Sequence, residues 1–151
     1  MPSMHVLCLE ENPSDFELVR AVLSKDGSSC ELLHVRFRDD FLAAVRQGGW
    51  DVIISACLLP DLDGMTALAI AQEHCPGVPF ILFSRGIGEE AAIEHLKAGA
   101  TEYVLKEHSA RLLLAVRRAI REAGERKERK QAKEQNAKLE EQLRQAQKME
   151  A

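Results

Sequence analysis

Four charged or hydroxyl-bearing side chains stand where short apolar runs stop. Glu10 and Glu11 follow His5-Val-Leu-Cys-Leu9, Ser84 follows Pro79-Phe-Ile-Leu-Phe83, and Lys106 follows Glu102-Tyr-Val-Leu105. Paired carboxylates are groups for cations, while a hydroxyl and an ammonium are groups for anions. A further run, Asp51-Val-Ile-Ile-Ser55, ends at Ala56, whose methyl group can do neither. Taken singly, each of these residues is ordinary. A Glu-Glu pair is usually solvated surface, a serine a turn residue, a lysine a surface charge, and Tyr103 a strand aromatic that fills a core. Other chemistries find less support. His5, His34, His74, His95 and His108 have no spacing for a metal site or a triad, and Cys8, Cys30, Cys57 and Cys75 form no C-x-x-C pair. The thiols read as reduced, small apolar side chains.

The elements that must position these residues are legible from periodicity. The three runs at residues 5–9, 51–55 and 79–83 are nearly all apolar, as strands buried on both faces should be. Glu31-Leu-Leu-His-Val35 and residues 102–105 are weaker strand candidates. Helical patterns lie between them. The first opens at Asn12-Pro13, a capping residue followed by proline at the first helical position, and Gly27 lies just past its end. Others run near 38–47, 64–74, 88–98 and from Ser109 onward. Five strands alternating with five helices predict an α/β fold, a doubly wound five-stranded parallel sheet with right-handed crossovers. In such sheets the functional crevice lies beyond the carboxyl ends of the strands, which is where Glu10, Glu11, Ala56, Ser84 and Lys106 fall.

Those strand-end residues carry a family resemblance. The segments LEENPSD, DVIISACLLPDLDG, FILFS and GIGEEAAIEHLKAGATEYVLK occur in order and at family spacing. Residues 4–120 resemble the receiver domain of response regulators and hybrid kinases, with its flavodoxin-like (CheY-like) sheet. The resemblance implies phosphoryl transfer to an aspartate at the end of the third strand, with Mg²⁺ offsetting the charge of the transferred group. It assigns Glu10 and Glu11 to the acidic pair that holds the metal and Leu58 to the backbone carbonyl that joins them. It assigns Ser84 and Lys106 to the remaining phosphoryl oxygens, and Tyr103 to the aromatic switch. The nucleophile belongs five residues after Asp51, four before Pro60 and eight before Gly64, and all three counts meet at Ala56. No neighbour stands in for it. Ser55 and Cys57 should point away from the crevice by strand alternation, and Asp61 and Asp63 lie in the following loop. With two glutamates and no aspartate at residue 56, the expectation is weak or absent Mg²⁺ binding, no other cofactor, and a lysine resting against Glu10 or Glu11.

Composition changes near Gly124. Beyond it there is no glycine, proline, aromatic or β-branched residue, which predicts a long exposed helix. A boundary at 122/123 separates a receiver domain (1–122) from a helical or coiled-coil linker (123–151). Ala132, Asn136, Leu139, Leu143 and Ala146 follow 4-3-4-3 spacing, a short, Ala-rich heptad seam that predicts a homodimer, with a solvated helix that frays as the alternative. LEEQLRQAQKMEA resembles the linker ahead of the phosphoacceptor-histidine helix of sensor histidine kinases, so the chain reads as the N-terminal piece of such a kinase.

From Arg121 onward nine Lys/Arg face seven Asp/Glu, leaving eleven against seventeen before it, within a net charge of −4. That balance argues against general nucleic-acid affinity. No run is long enough to span a bilayer and no signal peptide opens the chain, so the expected compartment is the cytoplasm and no membrane is expected as a partner. The functional expectation is a non-enzymatic regulatory module that meets a histidine kinase core or another signalling protein. Ala56 fits either a naturally degenerate receiver or an engineered form of an active one. An inert dimerisation scaffold and a self-dephosphorylating phosphoacceptor are the other readings, and the last lacks its carboxylate.

Overall fold

The structure, a computed structural model, describes residues 3–27, 29–86 and 88–150, so Ile87 of the G-I-G stretch and the terminal Ala151 lie outside it. The strands are β1 (Met4–Leu9), β2 (Cys30–Val35), β3 (Val52–Ser55), β4 (Phe80–Ser84) and β5 (Glu102–Leu105). The helices are α1 (Pro13–Leu23), α2 (Arg38–Gln47), α3 (Gly64–His74), α4 (Glu89–Lys97) and α5 (Ala110–Glu150), the last preceded by a single 3-10 turn. All pairings within the sheet are parallel, in the order β2-β1-β3-β4-β5. The predicted α/β architecture and its C-terminal helical extension are both present.

Alternation along the central strands builds two cores, one on each face. Leu7 and Leu9 of β1 join Ile53, Leu82, Phe41, Val45 and Leu68 on the side of α2 and α3. Val6 and Cys8 join Ile54, Ile81, Phe83, Phe16, Leu112 and Val116 on the side of α1 and α5. Burial of the Cys8 thiol pushes its pKa far up, consistent with an inert apolar filler rather than a nucleophile.

The helix starts show how the strand-end loops are pinned. Asn12 caps α1 by accepting from the Ser14 amide at 2.8 Å, with Pro13 following as expected. Asp63 caps α3 by accepting from the Thr66 amide at 2.7 Å, and the Thr66 amide and hydroxyl hold its carboxyl below the ordinary range. Phe37, the residue before α2, has no side chain able to cap it. Asp61 does so from a distance of 23 residues, its two carboxylate oxygens accepting from the Arg38 amide at 3.0 and 3.1 Å. A side chain at Gly64, which opens α3, would be crowded. A Cβ there would lie 3.2 Å from the Cys57 Cα, 3.1 Å from the His95 ring and 3.3 Å from Leu82.

Helix α5 runs unbroken through Gly124 for 41 residues, a length of roughly 60 Å at about 1.5 Å per residue. Its first part buries Leu112, Ala115, Val116 and Ala119 against the sheet. From Gly124 to Glu150 every residue is exposed. No helix among the described residues is long and apolar enough to cross a membrane.

Asp61 is therefore a helix cap rather than a spare carboxylate. Asp61→Ala should lower stability by about 1 kcal/mol, the usual value of a lost cap, and urea unfolding monitored at Trp50 would measure it.

Candidate functional site

The carboxyl ends of β1, β3, β4 and β5 meet at one edge of the sheet, because the strand order places β3 between β1 and β4. Ala56 continues directly from β3, tied to β1 by its amide donating to the Leu9 carbonyl at 2.9 Å. It is buried and belongs to neither core. Glu10 follows β1, Ser84 ends β4 and Lys106 follows β5, so these predicted residues share the carboxyl edge of the sheet with Ala56.

Lys106 organises this crevice. Its ammonium donates to Glu10 Oε1 at 2.5 Å and to Asp15 Oδ2 at 2.8 Å, and the three side chains are 8%, 6% and 10% exposed. Glu10's other oxygen accepts from the Asn12 amide at 3.1 Å, and Asp15's other oxygen takes the Arg85 guanidinium at 3.3 Å. Burial acts to lower the Lys106 pKa, but its hydrogen bonds to Asp15 and Glu10 and their charges outweigh this and raise it above its ordinary 10.5. The formal charges of Glu10, Asp15, Lys106 and Arg85 sum to zero, so the buried carboxylates are already compensated by protein cations.

Asp15 and Arg85 were not singled out by sequence reasoning. Asp15 lies in the quoted LEENPSD segment, and the signal was present there. The proline at the first position of α1 puts Asp15 in the first turn, beside the end of β1. Arg85 immediately follows Ser84, and its backbone carbonyl also accepts the Tyr103 hydroxyl at 3.3 Å. The loop after β4 is thus tied to both α1 and β5 through one residue.

Two other predicted residues are exposed. Glu11 is one of them. Past the end of β1 consecutive side chains diverge, and the Asn12 amide holds the Glu10 carboxylate inward while Glu11 turns out. Leu58 is 79% exposed and bridges to Asp63 across the tight loop that leads into α3. Cys57 departs from the alternation argument. Burial pushes its thiol pKa up, against the opposing pull of the Ser84 hydroxyl and the Lys106 charge, which places it on the Ser84 side of the crevice. The chain has left β3 by this residue, so strand alternation no longer governs it. Ser55 is fully buried, with its hydroxyl donating to the Ala56 carbonyl at 2.7 Å.

This arrangement does not make a Mg²⁺ ligand set. A hard divalent ion needs several oxygen ligands, of which one or two are free carboxylates. Here Glu10 and Asp15 are engaged by Lys106, Glu11 is exposed, and no cluster of three or more His, Cys, Asp or Glu among the described residues has metal-binding geometry.

The ion cluster predicts a pH profile. Because the folded pKa of Lys106 is raised, its contribution to stability is complete below pH 10.5 and is lost as pH rises through the folded value. Lys106→Met should leave two buried carboxylates facing each other and cost about 3 kcal/mol at neutral pH. Denaturant unfolding of the variant should show part of that loss recovered on acidification, as one carboxylate takes up a proton.

Comparison with known proteins agrees with this fold. The sequence model of the response regulator receiver domain matches residues 6–118. The chain is 28% identical over 124 residues to the uncharacterised transcriptional regulatory protein YcbL of Bacillus subtilis, across 79% of this chain and 54% of that protein. It is 26% identical over 129 residues to the DNA-binding transcriptional regulator NtrC of Proteus hauseri, across 85% of this chain and 27% of that protein. The chain thus spans about half, or less, of these curated relatives. Among solved structures, the receiver domain of the sensor histidine kinase PA1611 from Pseudomonas aeruginosa, with a magnesium ion in its active site cleft, is 26% identical. It aligns at a TM-score of 0.67 over 79% of this chain and 98% of its own. NtrX from Brucella abortus is 22% identical and aligns at a TM-score of 0.78 over 87% of this chain and 30% of its own. With three quarters of its length matched and its strand-end residues gathered at one crevice, this chain belongs to the response regulator receiver domain family.

Proposed function

We propose that this chain is a non-enzymatic regulatory receiver that passes on its state by protein contact and accepts no phosphoryl group. The observation that carries this reading is the Ala56 methyl at the end of β3, in a crevice whose lysine is already held by Glu10 and Asp15. Phosphorylation of a receiver needs a carboxylate to attack phosphorus and a cation to offset the charge that develops. The first is missing here at the position the resemblance assigns to it, and of the two carboxylates assigned to the second, Glu10 is engaged by Lys106. Asp61 and Asp63 are occupied as caps of α2 and α3. Incubation with acetyl phosphate followed by intact-mass measurement should find no base-labile adduct. A stoichiometric acyl phosphate on any residue would overturn this reading.

We assign residues 1–122 to the receiver and 123–151 to a linker, with a histidine kinase core as the partner downstream. The support is the resemblance of LEEQLRQAQKMEA to kinase linkers and the likeness to the PA1611 receiver. A second reading, in which the output partner is a transcriptional effector, is favoured by the curated relatives, which are named as transcriptional regulators. Coupling is assigned to the face formed by α4, β5 and α5, where Tyr103 lies, and to the tail.

Pairing of two tails is part of the same proposal. Leu139 and Leu143 are 51% and 61% exposed, and a helix of this length with a solvated surface gains most of its stability from packing. A parallel pair would bury both, and Asn136 would meet its own copy. Sedimentation should show concentration-dependent self-association of residues 1–151 and none of a chain ending at Ala123. Equal behaviour of the two would remove the tail as the dimerisation element.

A further inference from the structure

The rotational phase of α5 lines up its exposed positions from the receiver to the tail, an inference that rests on the tail pairing proposed above. The helix is continuous from Ala110 to Glu150, so the direction of every side chain is linked to that of the residues packed on the sheet. Leu114 is 69% exposed although it lies among Leu112, Ala115 and Val116, which are at most 2% exposed. It points away from the domain. From Leu114 to Asn136, Leu139 and Leu143 the separations are about 6.1, 6.9 and 8.1 turns, each close to a whole number, at about 3.6 residues per turn. From the buried Leu112 to Leu139 the separation is about 7.5 turns, half a turn out of phase. The tail seam therefore lies on the side of α5 opposite the receiver sheet, in line with Leu114.

A strict heptad carried upstream from Asn136 would arrive at Ala115, which is 2% exposed inside the receiver and unavailable to a second chain. The seam avoids it by stepping four residues rather than three from Glu125 to Arg121. It then runs through Leu114, Arg118, Arg121, Glu125 and Arg129 before meeting Ala132, with spacing 4-3-4-4-3. Such an insertion locally unwinds a coiled coil, letting the exposed stripe follow the nearly straight helix. All five positions are exposed, and Arg118 is drawn aside by its ion pair with Glu102 at 2.6 Å. In a parallel pair Arg121 of each copy reaches Glu125 of the other. Glu128 and Lys133 have the spacing of a flanking interhelical ion pair.

We propose that the occupant of this stripe is a second copy of the same chain, and that the interface is not confined to the tail. It runs along the solvent face of α5 up to Leu114, at the level of the receiver, with the two receiver sheets on the outside. Cysteine cross-linking of the full chain tests this, in a Cys30→Ser background because the other three thiols are buried. A disulfide requires Cα atoms about 4.4–6.8 Å apart, so it reports the seam itself. Leu139→Cys and Leu114→Cys should each give a covalent dimer, and Lys138→Cys, on the flank, should not. A dimer through residue 139 without one through residue 114 overturns the extended interface while leaving tail pairing intact. No dimer at either position defeats both, and equal yields at all three sites mean random collision and defeat it as well. As a check independent of oxidation, Leu114→Glu should weaken self-association in sedimentation, and an unchanged dissociation constant would contradict the proposal.

Discussion

The arrangement of the crevice depends on one buried ammonium. Glu10 and Asp15 both lie within hydrogen-bond distance of Lys106 Nζ, at 2.5 and 2.8 Å, and are nearly excluded from water. Two carboxylates ~5 Å apart repel by about 3 kcal/mol at an effective dielectric of ~20, and the ammonium between them offsets a repulsion of that order. In a receiver that handles phosphate, a divalent ion is expected to meet this need. Here the Lys106 ammonium lies between the two carboxylates. The end of β1, the first turn of α1 and the end of β5 are thereby tied to a single point.

That point reaches further through Arg85. Its guanidinium completes the pairing of Asp15, and its carbonyl accepts the Tyr103 hydroxyl. The loop after β4 and the aromatic residue of β5 are consequently coupled to the ion cluster by direct contacts. Ala56 contributes nothing polar, and the Cys57 thiol beside Ser84 is held in its neutral form by burial. The crevice is internally balanced, with compensated carboxylates, a neutral thiol and no nucleophilic carboxylate at the end of β3.

The opposite end of the molecule has a different physical logic. Helix α5 begins as a core element and ends as a solvated rod, with no change in backbone structure at Gly124. A change of state at the β5–α5 face would be transmitted along a continuous helix without an intervening loop to absorb it. Isolated helical rods are marginal in water, so the exposed part requires either a partner or its own network of charged pairs. Among the described residues of the tail, Arg144 and Glu141 form one such pair at 2.9 Å.

The sequence alone determined the element order, because apolar periodicity records which face of each strand or helix is buried. It also located Glu10, Ala56, Ser84 and Lys106 at strand ends, and it showed a helix continuing past Gly124 from composition. What it did not determine was which side chains meet across elements. Lys106 finds Asp15 from 91 residues away and Glu10 from 96, Arg85 finds Asp15 from 70, and Asp61 caps α2 from 23. Periodicity describes a residue only relative to its own element, and these pairings depend on how strand ends and helix starts are set against each other. For the same reason Glu11 could not be told from Glu10 in the sequence. The two are adjacent carboxylates, and only the turn into α1 directs one toward Lys106 and the other into water.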